Sequence, residues 1–202
     1  MTEWLYPLDR AIFLFINTTL ANPVGDVLWP LITDYDKILV VRIVLVAVWL
    51  WLVIRGGTRG RTVAFMLIPV LFFADQLSSS LIKPWVDRLR PCHTIDGVPI
   101  VQNIHLIVSC GPGKSFPSSH AVNNFAVATL FAFYYRPIWP YVYGWAALVA
   151  LSRVAVGVHY PSDILGGACI GTLVALAVIF LWTRMLQVYQ RMRHDSPAMG
   201  RP

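Results

Sequence analysis

Three short stretches, far apart in this chain, carry side chains suited to phosphate: Lys83 with Arg90-Pro91, then Pro117-Ser118-Ser119-His120, then Ser152-Arg153 followed by His159 and Asp163. One lysine offers a flexible point charge and two arginines offer planar forks, which together match several oxygens of one anion. Two imidazoles and a carboxylate can serve as nucleophile, proton donor and orienting group. This is the equipment for passing a phosphoryl group through a histidine.

Each stretch also has a plainer account. Lys83, Arg88 and Arg90 stand where a long apolar segment ends, as basic residues do when they anchor a helix at lipid headgroups. In the functional account Pro91 stiffens the turn that aims Arg90. The run from Ser115 to His120 reads as a helix start, because proline and serine favour that place and an apolar run follows. The unpaired N–H groups of a first helical turn make an anion site, and His120 adds a group able to give up a proton near neutral pH. In the third stretch Pro161 suits the opening turn of a helix, leaving His159 in the connection before it with Asp163 within reach. A carboxylate bonded to one ring nitrogen fixes the tautomer and frees the other nitrogen for attack. The competing account makes Asp163 an ordinary first-turn acid.

The elements that must position these residues are membrane helices. At 57% hydrophobic, 13% charged and a mean hydropathy of +0.63, the 202 residues lie far from an ordinary soluble domain. Apolar segments run over about 38–54, 62–82, 121–135, 138–158 and 164–186, with a sixth candidate over 8–32 interrupted by Asn17, Asn22-Pro23 and Asp26. The expected architecture is an all-α polytopic membrane bundle of about six helices. Residues 1–193 read as a single transmembrane domain, 194–202 as a disordered cytoplasmic tail, and 8–32 as a broken or partly interfacial helix. The first nine residues, with Glu3 and Asp9, lack the basic start of a removable secretory signal.

Arg55, Arg59 and Arg61 fall between the second and third segments, Arg136 between the fourth and fifth, and Arg184, Arg191 and Arg193 after the last. Alternating spans put all of them on one side, which is the cytoplasm, with the C-terminus there as well. By the same parity the three polar stretches share the outer face. The net charge of +6 is then topological, and no nucleic-acid partner is expected. Cys92 and Cys110 both fall in the outer connection; an oxidising exterior would allow a disulfide between them, and free thiols are the other reading. No zinc-type ligand spacing occurs. Asp75, Gln76, Asn123 and Asn124, inside spans, are read as structural interhelical bonding.

What decides among these readings is the conjunction. The chain closely resembles the type 2 phosphatidic acid phosphatase (PAP2) superfamily, whose pattern is Lys, six residues, Arg-Pro; then Pro-Ser-Gly-His; then Ser-Arg, five residues, His, three residues, Asp. Every position matches except Ser119, where the family most often has Gly. The resemblance implies a metal-independent lipid phosphatase with no cofactor: His159 attacks phosphorus, Asp163 orients it, His120 protonates the leaving oxygen, and Lys83, Arg90, Ser118, Ser119 and Arg153 hold the phosphate. By analogy with small bacterial members, the favoured substrate is undecaprenyl diphosphate, ahead of phosphatidylglycerol phosphate, phosphatidic acid or a lipid A phosphate. A lipid-phosphate binding or flipping protein is the alternative from another class, and a vanadate-dependent haloperoxidase a third.

Overall fold

The computed structural model describes residues Leu5–Asp195. Five helical rods and one broken pair make up the bundle. The broken pair is α1 (Leu5–Leu14), running on through the wide turn Phe15–Thr19, and α2 (Pro23–Thr33), capped by the Asn22 side chain, which accepts the Gly25 N–H at 2.9 Å. The chain direction bends by 117° between the two arms. The rods are α3 (Leu39–Arg55), α4 (Gly57–Asp75), α6 (Ser119–Tyr134), α7 (Trp139–Ala155) and α8 (Pro161–Asp195). Between α4 and α6 the chain continues through a π-helical turn, Gln76–Ile82, into the short α5 (Lys83–Val86) and an outer connection holding one small hairpin, Thr94–Ile95 with Val98–Pro99.

Two helical stretches, of 30 and 33 residues, are long and apolar enough to cross a membrane alone, and the broken pair makes a third when its arms are taken together. At about 1.5 Å per residue the 16 or 17 residues of α3, α6 and α7 reach roughly 25 Å, close to the lower limit for a hydrocarbon layer. Leu39, Ile43, Phe72, Leu173 and Phe180 point outward. In water that surface would be an aggregation liability; in lipid it matches its solvent.

The inner packing rests on small residues where α6 meets α8. A Cβ built on Gly167 would stand 2.8 Å from Ala121 Cβ and 2.9 Å from Ser118 O, and one on Gly171 would overlap the Val122 carbonyl. Backbones can approach this closely only without side chains between them, as in other membrane helix pairs. Beneath this contact Val63, Met66, Val70, Ala126, Leu130 and Ile179 form the main apolar core.

The broken segment sits wholly at one end of the bundle. Asp9 of α1 bonds Ser162, Asn17 bonds His105 and Ala155, and Thr33 at the end of α2 bonds Arg153. The opposite end carries the α3–α4 and α6–α7 turns, linked where the Tyr135 hydroxyl approaches Gly60. Arg136 lies on the second of those turns, and Arg55, Arg59 and Arg61 lie on the helix ends flanking the first.

Three expectations change. α8 continues through His194 and Asp195, and the rest of the expected tail, 196–202, lies outside the described residues. Of the four intraspan polar residues, Asn124 accepts from the Tyr35 hydroxyl at 3.0 Å; Asp75 and Gln76 accept from Ser79 and Ser80 one turn on, while Asp75, Asn123 and Asn124 line a cavity. Polar side chains face that cavity because hydrocarbon gives them no partner. Arg88 is no headgroup anchor: its side chain is 10% exposed and paired with two carboxylates.

Candidate active site

The site forms where three helix ends converge. Ser118 is the N-cap of α6, with φ −70° and ψ 112°, so Ser119 and His120 open that helix and their backbone N–H groups have no intrahelical acceptor. Ser118 N–H reaches across to the Asp163 carbonyl at 3.1 Å, tying the start of α6 to that of α8. The Phe116–Pro117 bond preceding it is cis.

His159 lies in the connection from α7 to α8. Gly157 takes φ +90°, a left-handed conformation suited to glycine, and a Cβ there would meet His105 O at 3.1 Å. The reversal directs the N–H groups of Val158 and His159 onto the Arg153 carbonyl, so the third motif's arginine and histidine are locked together through the backbone. His159 and Asp163 are almost completely buried. Nδ1 of His159 stands 3.4 Å from Oδ2 of Asp163, a close electrostatic contact bent away from ideal hydrogen-bond geometry. The same Oδ2 accepts the Ser115 hydroxyl and the Tyr160 N–H. Burial pushes the His159 imidazole down to about 4, against the pull of Asp163 and assisted by Arg90 and Arg153. The ring is therefore neutral at physiological pH, the state required of a nucleophile.

The cations surround this pair. Lys83, delivered by the π-helical turn, donates from Nζ to Ser119 Oγ at 2.8 Å, with Ser78 and Ser79 beside the same hydroxyl at 3.5 and 3.4 Å. A π turn shifts the register of the side chains that follow it, and such turns recur at functional sites. Arg90 is held by the outer connection, donating Nε to Gly113 O at 2.8 Å and Nη1 to Cys110 O at 2.7 Å. Burial shifts Arg90 below the ordinary guanidinium value, with Asp163 opposing the shift. Cys110 is joined to Cys92 by a disulfide, Cα to Cα 5.8 Å, which closes the connection that holds Arg90. Arg153 donates Nη1 to Thr33 Oγ1 at 2.6 Å. His120 lies within electrostatic range of Arg153, His159 and Lys83, so both imidazoles and the cations share one locality.

Three buried polar atoms there lack a hydrogen-bond partner: Ser118 Oγ, Arg153 Nε and His159 Nδ1. Orphaned buried polar groups are costly and cluster at functional sites. From His120 and Ser119 a cavity of about 580 Å³ runs between α3, α4 and α6, lined on its apolar side by Leu45, Trp49, Leu67, Val127 and Phe131.

The structure thus brings Lys83, Ser118, Ser119, His120, Arg153, His159 and Asp163 to one end of the bundle, with Arg90 reaching in from the loop. Sequence reasoning missed Asp9, Thr33, Arg88, Ser115 and Ser162. The available signals were an acid inside an apolar amino-terminal segment and a second arginine two residues before Arg90.

Comparison with known proteins agrees with this arrangement. The sequence pattern of the PAP2 superfamily matches residues 62–187. A lipid A 4'-phosphatase of Bacteroides thetaiotaomicron is 27% identical over 206 residues, covering 100% of this chain and 87% of the relative. A putative undecaprenyl-diphosphatase of Escherichia coli is 30% identical, covering 92% of this chain and 89% of the relative. The crystal structure of a transmembrane PAP2 type phosphatidylglycerolphosphate phosphatase from Bacillus subtilis shares the fold, with a TM-score of 0.69 at 21% identity over 91% of this chain and 88% of that one. With the superfamily pattern spanning more than half of its residues and a 30% identical relative aligned along nearly all of it, this chain belongs to the PAP2 superfamily.

Proposed function

We propose that this protein, one membrane-embedded domain, is a lipid phosphatase that works through a phosphohistidine. The observation that carries the reading is the gathering of the His159–Asp163 pair, His120, Lys83 and Arg153 at one end of the bundle, next to a cavity lined by Ser119 and His120. In the first half-reaction Nε2 of His159, the nitrogen away from Asp163, attacks phosphorus. The P–N bond forms as the bond to the leaving oxygen breaks, and His120 supplies that oxygen's proton. Lys83, Arg90 and Arg153, with the first-turn N–H groups of α6, hold the equatorial oxygens as charge redistributes. In the second half-reaction water gives a proton to His120, attacks phosphorus and displaces His159, releasing inorganic phosphate.

The favoured substrate is a polyprenyl diphosphate such as undecaprenyl diphosphate. The cavity is lined along α6 from His120 to Phe131, about 16 Å at 1.5 Å per residue, and its apolar side chains suit a hydrocarbon tail. The Escherichia coli relative, a putative undecaprenyl-diphosphatase, supports the same choice. A second reading, removal of a phosphate from lipid A, is favoured by the Bacteroides relative aligned over the whole chain.

The arginine-bearing turns and the end of α8 belong on the cytoplasmic side, and the site opens to the exterior. A cysteine introduced near His105 then reacts with an impermeant reagent in intact cells; labelling only after lysis reverses this orientation.

Phosphate release by purified protein, compared across undecaprenyl diphosphate, lipid A, phosphatidylglycerol phosphate and phosphatidic acid, tests the substrate. His159→Ala is expected to abolish release, orthovanadate to inhibit and chelators to leave the rate unchanged. Equal rates for His159→Ala and the unaltered protein eliminate the enzyme reading and leave a binding or flipping protein.

A further inference from the structure

Arg88 belongs to none of the three motifs, yet its side chain donates more hydrogen bonds than that of any motif cation. Its Nη1 donates to Asp163 Oδ1 and to Ser162 Oγ, both at 2.7 Å, and its Nη2 donates to Asp9 Oδ2 at 2.6 Å. Its Cζ lies 4.0 Å from the Tyr160 ring centroid, a cation–π contact that fixes the plane of the guanidinium. Asp9 is itself 7% exposed and accepts the Ser162 N–H at 2.8 Å and the Ser162 hydroxyl. Two buried carboxylates therefore share one guanidinium, and one of them is the acid facing His159.

Such an arrangement is weak evidence for stability, since desolvating three charges offsets much of their attraction. It does determine how much negative charge Asp163 presents to His159, because each unit of attraction from Arg88 draws that charge toward Oδ1, away from the ring. We propose that Arg88, braced by Asp9 from the amino-terminal helix, is a positioning residue that orients Asp163 and sets the strength of its field at His159. The inference rests on His159 and Asp163 being the catalytic pair.

The two partners act with opposite sign. Without the Arg88 charge, Asp163 stabilises a protonated His159 more strongly, and the acid limb of kcat/KM moves to higher pH. Without the Asp9 charge, Arg88 pulls on Asp163 alone, and the acid limb moves to lower pH. The other charged or titratable groups facing the pair are Lys83, Arg90, Arg153, His120 and Tyr160, which stay unchanged in these variants.

The experiment measures phosphate release from a short-chain lipid phosphate against pH for the unaltered protein, Arg88→Met, Arg88→Lys, Asp9→Asn and His159→Ala. Arg88→Met is expected to lower kcat by about 10- to 100-fold with KM changed less than about threefold, and to raise the acid limb by roughly 0.5 to 1 pH unit. Asp9→Asn is expected to lower kcat by about fivefold and to shift the limb the other way by a similar amount. Arg88→Lys keeps the charge without the fork, so it retains the limb and loses kcat, and it stands in where Arg88→Met does not fold. Inactive His159→Ala together with unshifted or same-direction limbs in the Arg88 and Asp9 variants overturns this inference alone. Full activity in His159→Ala overturns the catalytic pair, and the inference with it.

Discussion

Ser119 stands where the PAP2 pattern most often has glycine, and the fold gives its hydroxyl a partner that glycine could not hold. Its Oγ accepts Lys83 Nζ at 2.8 Å and lies within 3.5 Å of Ser78 and Ser79. Ser119→Ala removes that acceptor and keeps the Cβ. A hydrogen bond to a charged group contributes about 1.5 to 3 kcal/mol net. The contact is only part-buried and substrate phosphate can replace the lost oxygen, so the effect falls at or just below the bottom of that range. A loss of about 1 to 1.5 kcal/mol corresponds to roughly 5- to 12-fold in kcat/KM, carried mainly by KM because Lys83 holds phosphate in the ground state as well. Phosphate release from a lipid phosphate gives the two constants, and a double-mutant cycle with Lys83→Met isolates the coupling. In the Lys83→Met background the Ser119→Ala effect should shrink to about twofold or less. An undiminished effect there would mean that Ser119 acts independently of the lysine, contrary to this account.

The buried, neutral His159 predicts a pH signature in stability. Its folded value of about 4 lies below the ordinary 6.5, so the unfolded chain takes up a proton in that window while the folded protein does not. This share of stability is complete above about 6.5 and is lost as pH falls toward 4; the melting temperature of His159→Gln should therefore fall less steeply over that interval than that of the unaltered protein. Opening the Cys92–Cys110 bridge with serine at both positions should remove up to about 3 kcal/mol of stability and raise KM, because the loop carbonyls of Cys110 and Gly113 hold Arg90; unchanged KM and melting temperature would contradict that role. Gly167→Val should force α6 from α8 at Ser118 and cost about 1 to 3 kcal/mol along with activity, whereas Gly144→Ala, with nothing within 4 Å of its Cβ, should be silent in both thermal unfolding and turnover.

Membrane class, helical architecture and the chemical kinds of residue in the three motifs are legible along the chain, because long apolar runs admit only backbone-satisfying helices and because histidine, arginine and proline at fixed spacing are read locally. The sequence also marks 8–32 as broken, since Asn at an N-cap and Pro at the first helical position both favour a fresh helix start. Where that broken segment goes is settled by folding. Its polar residues, Asp9, Asn17 and Thr33, find partners at the site end through contacts separated by 88 to 153 residues, and no local pattern encodes such pairings. The same reason explains Arg88. Beside an apolar helix end it reads as a headgroup anchor, and only the fold brings two carboxylates, from α1 and α8, to the same guanidinium. The glycines of α8 complete the division: their spacing permits close helix contact, but the partner helix, and hence the meeting of Ser118 with Asp163, is chosen by packing.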